Sequence, residues 1–507
     1  MPLELFGRGR EAVWLALAGA AVALFYLSAR IAGSAPWSYD EYYHLGMARE
    51  LLKHFPLRSF PWTPFSLVSE HFVDGSPLFH VALMPFAGLP IESAGLAGVA
   101  LGQIFVLSCL GVVLFRLRLR HGWAYMLGMA TLGPQFAMRF DMCRPQLMLI
   151  GFSLLFLGLL VTGARPWILA IVIAVFSVAH VGSWIAIFYT AAWAAAGWLA
   201  SPASATPSER RFPWQLLLWV AGGWLVGQLI HPNLPYNLRV MALANFVVPF
   251  EASSAGNAAL RSQIGEELAP PGLGIMAEQW TIFLAPLLAS ILLLRDRSLR
   301  SRATLSTTLV ALAFLLVGAL LLQRMLEVAA PLGLLALAVV AAEHRRQDRR
   351  GGLLGGWTSW AAAGALLVGA LWTASTLRQY GFGRVSPPQE MARWLGEQGR
   401  PGERVFTAQW ADSAPLFYSA PRLQSLVALD PTMFFAKDPR LFQLYVDVVQ
   451  GKRPDAARVI RERFGARWVT LWQAPVYESL AEQLAATPGV RLVYRDPYYV
   501  IADLGGR

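Results

Sequence analysis

The chain has 507 residues, of which 56% are hydrophobic and only 14% are charged. Soluble globular domains usually carry about 25% charged residues, so this composition argues against a soluble protein and indicates that lipid surrounds much of the chain. The formal net charge of +11 does not indicate nucleic-acid binding, because most arginines stand in short clusters between apolar stretches. Cys109 and Cys143 lie in or beside apolar runs, and they predict neither a disulfide framework nor a cysteine metal site.

Apolar segments that could cross about 30 Å of hydrocarbon recur from the N-terminus onward. We interpret the first as a retained helix, because no small-residue cleavage site of a signal peptide follows it. We predict about eleven transmembrane helices, near residues 12–32, 95–115, 122–138, 146–162, 167–180, 183–200, 214–230, 281–294, 303–322, 328–342 and 355–375.

The stretch 167–200 could form one long helix or two short helices that break around His180. Arg165 precedes this stretch, and Arg210 with Arg211 follows it. Short arginine-bearing loops tend to stay in the cytoplasm, so an even number of crossings should separate them. We therefore predict two helices, with His180 as a packing residue at the bend.

This choice gives the chain a consistent orientation in an inner (plasma) membrane. Sixteen arginines then fall in short connections on one side, whereas eight basic residues are spread over the longer loops of the other side. The positive-inside rule predicts a cytoplasmic N-terminus and, after eleven crossings, an extracytoplasmic C-terminus.

Two loops on the predicted outer side, residues 33–77 and 231–280, are too long to be simple turns, and such loops are usually functional. We assign residues 1–380 to a membrane domain and 381–507 to a small soluble α/β domain outside the membrane. In the second part helical patterns alternate with strand patterns. The predicted helices lie near 391–398, 441–449, 456–464 and 479–486, and the predicted strands near 404–407, 468–471, 491–494 and 498–501. The fold class is thus mostly α, a polytopic helical membrane protein with a C-terminal α/β part.

The first outer loop opens with Asp40, Glu41 and His44, soon after the first helix. In a helix Asp40 and His44 would lie one turn apart on one face, with Glu41 about 100° away. A carboxylate and an imidazole in this arrangement could share a proton or a divalent metal ion, although the spacing is not specific for a metal. The alternative is an interfacial helix with solvated charges.

The next outer turn carries Arg139, Asp141 and Arg144 at the mouth of two helices. Unpaired charges close to lipid are costly, so a structural salt bridge between Asp141 and one of the arginines is one interpretation. The other is a functional site, in which the arginines bind an anionic substrate group and Asp141 takes part in catalysis.

Four further polar residues belong to the same predicted outer face: His80, Glu266, Arg324 and Glu327. A loop or capping role is an alternative for each residue alone, but acids, histidines and arginines on one face together indicate a binding site. Arg324 and Glu327 could pair with each other or hold an anionic lipid phosphate.

These motifs resemble the C-type glycosyltransferase superfamily, membrane enzymes that take sugars from polyprenyl-phosphate donors. The resemblance rests on Asp40-Glu41-x-x-His44 with the following Met47-Ala-Arg49, on the charged turn at Asp141, and on Arg324-x-x-Glu327-x-x-x-Pro331, which is similar to a stretch in bacterial members. The tail segment 427–432 resembles the soluble domain of bacterial relatives. The Trp-Trp-Asp-Tyr-Gly motif of oligosaccharyltransferases does not occur in the sequence, so the resemblance does not extend to transfer of a whole oligosaccharide to asparagine.

The resemblance implies a hexosyl- or pentosyltransferase that moves a sugar from a polyprenyl-phosphate donor to a lipid, glycan or protein acceptor of the envelope. It implies Asp40 as the catalytic base, with Glu41 as the substitute, and arginines that stabilise the leaving phosphate. The alternative function is a multi-pass transporter of a lipid-linked or anionic substrate. Transporters tend to place ionisable groups at mid-membrane on broken helices, whereas the charges here lie in outer loops.

Overall fold

The computed structural model describes residues 2–31, 38–119, 121–200, 213–248, 251, 258–263, 268–347, 364, 367–375, 388–427 and 431–505. Up to residue 347 most of the described helices form a bundle around one apolar core. The helices are α1 Pro2–Ile31, α2 Tyr39–Lys53, α3 Pro77–Leu83, α4 Ile91–Leu117, α5 Gly122–Gly128, α6 Pro134–Phe140, α7 Gln146–Val161, α8 Pro166–Ala179, α9 Ile185–Ala200, α10 Trp214–Leu229, α11 Tyr236–Ala242, α12 Ala258–Gln263, α13 Leu273–Glu278, α14 Trp280–Arg295, α15 Arg302–Leu320 and α16 Leu326–Arg346.

Four helical stretches are long and apolar enough to cross a membrane by themselves: Gly9–Ser28, Ile91–Leu117, Arg302–Leu320 and Gln323–Arg346. Shorter apolar helices of 10–17 residues, among them α7, α8, α9 and α14, pack beside them. Short helices of this kind can still span where tilt or local thinning of the bilayer helps. The protein therefore crosses the membrane several times, and the total of about eleven helices stays a prediction.

Two predicted spans differ from the structure in an informative way. Residues 122–138 do not form one helix, because α5 and α6 are separated at Gly133, whose φ of +93° favours glycine, and Pro134 then begins a new helix. The predicted break around His180 is confirmed, since α8 ends at Ala179 and α9 begins at Ile185. The last predicted span, 355–375, lies mostly outside the described residues, and its described positions 364 and 367–375 are helical.

The connections of the bundle gather at two ends. At one end, which we call the basic end, Arg116 Nε donates to Thr162 Oγ1 at 2.9 Å, and Arg345 donates to the backbone carbonyl of Arg118. At the other, which we call the loop end, the backbone N–H of Val181 donates to the carbonyl of Gly75 at 2.8 Å. In both cases the contact joins two connections that were predicted to lie on the same side of the membrane. Which end faces the cytoplasm stays a prediction.

The described residues 388–505, called the tail below, contain a five-stranded sheet with helices on both faces. Its helices are α17 Gln389–Gln398, α18 Ser413–Ser419, α19 Thr432–Lys437, α20 Pro439–Val449, α21 Ala456–Arg463 and α22 Glu478–Ala486, and its strands are β1 Arg404–Thr407, β2 Gln424–Ser425, β3 Ala466–Trp472, β4 Arg491–Arg495 and β5 Tyr499–Asp503. The strand order is β2-β1-β3-β5-β4, in which β1 is parallel to β2 and β3, and β5 is antiparallel to β3 and β4.

Alternate residues of the strands build the two apolar layers of the tail. Val405 and Ile501 face the layer of α17, while Phe406 and Val469 face the layer of α20 and α21. This alternation follows from the two-residue period of a β-strand. All eight helices and strands predicted for the tail are present, each within two residues of its predicted bounds.

Candidate functional site

Helix α2 begins one residue after Ser38 and carries three predicted site residues in its first two turns. Helical geometry puts Asp40 and His44 one turn apart and turns Glu41 towards a different surface. The burial of the side chains follows that geometry. Asp40 keeps 22% of its side chain exposed, whereas Glu41 is fully buried.

Asp40 forms an ion pair with Arg144 at the loop end of the bundle. The distance between Arg144 Nε and Asp40 Oδ2 is 2.7 Å, and only 8% of the arginine side chain is exposed. Two predicted site residues from distant parts of the sequence are thus direct neighbours. A carboxylate and a guanidinium side by side can handle a proton and an anionic group in the same place.

Glu41 instead joins a buried network with Arg30 and Asp141. Arg30 Nη2 lies 2.6 Å from Glu41 Oε2, and Arg30 Nη1 donates to the backbone carbonyl of Asp141 at 3.1 Å. Gly95 on α4 makes room for this pair, because a Cβ there would come within 2.6 Å of Glu41 Oε2. Sequence reasoning missed Arg30, although an arginine at the end of an apolar helix was a signal that it has an acidic partner.

Asp141 is buried at the turn between α6 and α7, where Gln103 Nε2 donates to its Oδ1 at 3.0 Å. Burial raises the pKa of this carboxyl well above its usual range, and Arg30 opposes the rise. Glu41 and Asp141 therefore contribute to the packing that fixes α1, α2, α4 and the turn relative to one another. Of the three predicted catalytic carboxylates, Asp40 is the one with a partly exposed side chain.

Besides the histidines, four predicted residues of the bundle remain, and the structure describes three of them. Arg139 Nε lies 2.9 Å from Glu327 Oε1 at the start of α16, so the turn at Asp141 is tied to that helix. Arg324 stands just before α16, near the break between α8 and α9. Arg324 acts electrostatically on His180 at that break. The fourth predicted residue, Glu266, lies outside the described residues, as do positions 428–430 of the tail motif.

His44 and His80 form a hydrogen-bonded pair that continues to Asp74. His44 Nδ1 lies 2.7 Å from His80 Nε2, and His80 Nδ1 lies 2.7 Å from Asp74 Oδ2. All three residues are buried. The sequence indicated His44 and His80 as site residues, but it gave no role to Asp74, whose partner is visible only in the folded chain.

No protein-family model matches the sequence, and a comparison with curated proteins finds no significant sequence relative. Solved structures do match in three dimensions. ArnT from Cupriavidus metallidurans, solved bound to undecaprenyl phosphate, is 13% identical with a TM-score of 0.57, and the match covers 97% of this chain and 98% of ArnT. The oligosaccharyltransferase of Archaeoglobus fulgidus in its apo form is also 13% identical with a TM-score of 0.57, over 90% of this chain and 69% of that one.

Both matches extend over most of the chain, and both proteins are C-type glycosyltransferases. The chain has the C-type glycosyltransferase fold. In this fold α2 follows the first membrane helix. The ion pairs of Asp40 and Glu41 lie at the loop end of the bundle, which the tail contacts.

The tail of this C-type fold contacts α2 next to Asp40. The hydroxyl oxygens of Tyr39 and Tyr499 are 2.9 Å apart, and Gln409 Nε2 donates to the Tyr39 hydroxyl at 3.1 Å. Tyr499 in turn donates to Asp412 Oδ1 at 2.9 Å. Burial raises the pKa of Asp412 to about 7, which Tyr499 and Thr470 partly oppose by hydrogen bonding.

A second contact between α2 and the tail lies farther along the helix, at Gly46 and Arg49. The ring of Phe417 in α18 packs against Gly46 so closely that a Cβ at position 46 would come within 2.8 Å of it. Arg49 donates to the hydroxyl of Tyr418 at 2.5 Å and lies 3.8 Å from the centre of its ring. The helix with the predicted catalytic residues is thus held between the bundle and the tail.

The candidate residues do not converge on a cation in the described part of the chain, where no group of three histidine, cysteine, aspartate or glutamate side chains is arranged to hold a metal ion. Asp40 and Glu41 each face an arginine at 2.7 Å and 2.6 Å respectively. A guanidinium at that distance occupies the position that a metal would need. The described residues therefore provide no ligand set for the divalent metal that the sequence left open.

Proposed function

We propose that the protein is an integral membrane glycosyltransferase that moves a sugar from a polyprenyl-phosphate donor to an envelope acceptor. The transferred sugar is a hexose or a pentose, and the acceptor is a lipid, glycan or protein with a nucleophilic group outside the inner membrane. The fold supports this proposal, because ArnT, which has the same fold, was solved with undecaprenyl phosphate. The N-terminus is proposed to be cytoplasmic, and the loop end and tail extracytoplasmic.

One observation carries the proposal furthest, and it is the ion pair between Asp40 and Arg144. A phosphodiester donor needs a cation near its leaving oxygen, and the acceptor hydroxyl needs a carboxylate within hydrogen-bond reach. Here the two groups are 2.7 Å apart, and Asp40 is partly exposed at the end of the bundle. When a phosphate takes over Arg144, the carboxylate of Asp40 becomes available to the acceptor.

The reaction then uses this chain's own residues. Asp40 accepts the proton of the acceptor hydroxyl, whose oxygen attacks the anomeric carbon while the bond from that carbon to the phosphate oxygen breaks. Arg144 and Arg324 stabilise the negative charge that grows on the departing polyprenyl phosphate. Arg324 is the first candidate for holding the donor phosphate before the reaction, and Arg144 is the second. No step is assigned to a metal ion.

The other predicted residues hold this centre in place or contact the substrates. Glu41 and Asp141 fix α2 through Arg30, and Glu41 is the substitute base if Asp40 is not the base. Arg139 and Glu327 join the turn to α16. His44 and Glu266 are proposed to contact the donor or acceptor, and His80, which the sequence also assigned to substrate binding, to act on them through His44. Residues 1–380 are proposed as the catalytic domain and 381–507 as a domain that binds the acceptor or covers the cavity.

The test is an assay of the purified protein in lipid nanodiscs with a panel of radiolabelled polyprenyl-phosphate sugars and extracted envelope acceptors. Radiolabel that moves to an acceptor, with release of polyprenyl phosphate, is the expected result. The rival transporter function predicts movement of the labelled lipid across sealed proteoliposomes without cleavage of the sugar–phosphate bond. Transport without cleavage over the whole panel would contradict the enzyme.

A further inference from the structure

Asp74, His80 and His44 form a continuous buried chain of hydrogen bonds from the first outer loop to helix α2. The successive distances are 2.7 Å from Asp74 Oδ2 to His80 Nδ1 and 2.7 Å from His80 Nε2 to His44 Nδ1. The exposed fractions are 4%, 2% and 6% in the same order. Two histidines and one carboxylate in line, shielded from water, are chemically suited to carry a proton.

The carboxylate fixes the direction of the chain. An ionised carboxylate only accepts hydrogen bonds, so His80 Nδ1 carries a proton, and its Nε2 is then the acceptor in the neutral ring. His44 Nδ1 therefore donates to His80, and the lone pair of His44 is on Nε2. Among the described residues, the hydrogen bond of His44 uses Nδ1, which leaves Nε2 for a group of the bound substrates.

Asp74 is held rigidly at the far end of the chain. The backbone N–H of Ser76 donates to Asp74 Oδ1 at 2.9 Å, and the backbone N–H of Asp74 donates to Asn233 Oδ1 at 3.1 Å. Asn233 in turn donates to the carbonyl of Leu57 at 2.8 Å. The buried imidazole of His231 also faces Asp74, whose charge partly opposes the lowering of the His231 pKa by burial. The carboxylate therefore stabilises a positive charge on either neighbouring imidazole.

The near end of the chain lies beside the proposed base. His44 is four residues after Asp40 on α2, which puts the two side chains on neighbouring turns of one face. Arg144 pairs with Asp40 and also acts on His44. Burial, then His80, then the charge of Arg144 hold the pKa of His44 well below its usual range. If Arg144 turns to a donor phosphate, its charge no longer opposes a proton on His44.

We propose that Asp74, His80 and His44 are a proton relay that takes over, from Asp40, the proton that the acceptor hydroxyl loses during glycosyl transfer. The inference rests on the proposed function and adds to it two positioning residues, Asp74 and His80, and one residue in contact with the reacting groups, His44. Nothing in the spacing of the sequence joins these three residues.

The proton balance of the step is complete. As the acceptor oxygen bonds to the anomeric carbon, its proton passes through Asp40 to His44 Nε2, and the proton on His44 Nδ1 passes to His80 Nε2. The electron pair of the broken sugar–phosphate bond stays on polyprenyl phosphate. His80 is then an imidazolium paired with Asp74, and the proton returns along the same path to the phosphate or to water.

The first test reads the hydrogen bonds without any substrate. Protein labelled with [15N]histidine is measured by solid-state NMR at neutral pH, and His44→Gln and His80→Gln assign the signals. Both rings should be neutral with the proton on Nδ1, and Asp74→Asn should shift the His80 signals. A His80 ring with its proton on Nε2 alone would overturn the relay, whether or not the protein transfers sugar.

The second test is the pH dependence of turnover for Asp74→Asn, with His71→Gln as the control. His71 is an exposed histidine of the same loop that stacks on Tyr236. Loss of the Asp74 charge makes a positive charge on the relay histidines less stable, so kcat should fall about 10- to 100-fold, its acidic limb should move to lower pH, and KM for the donor should stay unchanged. The control should behave as the native protein.

An unchanged kcat and pH profile in Asp74→Asn would refute the relay while leaving the glycosyltransferase intact. Native protein that transfers no sugar from any donor would instead refute the proposed function, and the NMR result still decides the hydrogen-bond chain. If Asp74→Asn does not fold, His44→Gln gives the same kinetic test, because its amide can donate to His80 but cannot take up a proton.

Discussion

Asp40→Asn separates the charge of the proposed base from its shape. Asparagine has nearly the volume of aspartate and can still accept a hydrogen bond from Arg144, but it cannot take the proton of an acceptor hydroxyl. We expect turnover to fall about a hundredfold or more, because positioned acid–base groups contribute factors of this size. A hundredfold loss corresponds to about 2.7 kcal/mol in the activation free energy.

The cost in stability should be smaller than the cost in activity. The ion pair loses one charge, but 22% of the Asp40 side chain is exposed, so water screens part of the interaction. We expect the free energy of unfolding to fall by about 1–2 kcal/mol, which is towards the low end of the range of about 1.5–3 kcal/mol for hydrogen bonds to charged groups. Binding of the donor should be unchanged or tighter, because Arg144 no longer shares its charge with a carboxylate.

The assay compares native protein, Asp40→Asn and Glu50→Gln in nanodiscs for three quantities: thermal stability, affinity for a radiolabelled polyprenyl-phosphate sugar, and turnover. Glu50 is a matched control, since it is a carboxylate on the same helix that pairs with Lys53 at 2.8 Å, away from Arg144. Its replacement should leave turnover close to the native value. Arg324→Ala, measured beside them, should weaken donor binding if that arginine holds the phosphate.

A well-folded Asp40→Asn protein with native turnover would show that Asp40 is not the base. Glu41 and Asp141 would then be tested in its place, although both are buried in the described structure. If Asp40→Asn loses both turnover and folding, Asp40→Ser would be measured instead, because serine is smaller and places no charge beside Arg144.

Three other predictions concern the membrane orientation and the tail. A reporter fused after Arg350 should be active only in the cytoplasm and one fused after Arg507 only outside it, and activity of both on one side would contradict eleven crossings. The tail expressed from about residue 383 should be soluble and folded but inactive, and sugar transfer by this fragment would move the catalytic centre out of the membrane part. Asp412 is a carboxyl whose pKa rises from 3.8 to about 7 on burial, so its contribution to stability is complete below about pH 4 and is lost as the pH rises through 7. Thermal unfolding of the tail fragment between pH 4 and pH 8 should follow this slope, and Asp412→Asn should remove it.

The tail was predictable from sequence because its elements have the period and length of soluble helices and strands. The strand 404–407 and the helix 456–463 carry clear alternation and amphipathic patterns, and both formed where expected. The two-residue strand 424–425 and the short helices 413–419 and 432–437 are below the length at which a period can be recognised. Their positions depend on the neighbouring strand and the outer loop.

The membrane helices were predictable in kind, and their breaks only in part. The break at His180 followed from the arginines on either side, whereas the break at Gly133-Pro134 was missed although that dipeptide is a strong stop signal. The hydropathy pattern does not show this break, because the residues on both sides of Gly133-Pro134 are apolar.

The site was predictable as a set of residue types but not as a set of pairs. Asp40 and Arg144 are 104 positions apart in sequence, and Arg30 lay within a predicted apolar span. The sequence left open a salt bridge between Asp141 and one of two arginines, and in the described structure Arg139 and Arg144 form ion pairs with Glu327 and Asp40. The packing of α1, α2, α4 and α7 determines which acidic side chain pairs with which arginine. A local sequence pattern carries no information about that packing.

The contact between Gly46 and Phe417 means that a substitution at one position restricts which residues the other position can have. A methyl group at 46 would press on the aromatic ring at 2.8 Å, so any sequence that gains a side chain there must also change or displace the ring. In a set of related sequences the two positions should therefore change together. A tail from another protein of this fold could be joined to this bundle only if its residue at the position of Phe417 packs against Gly46, which has no side chain.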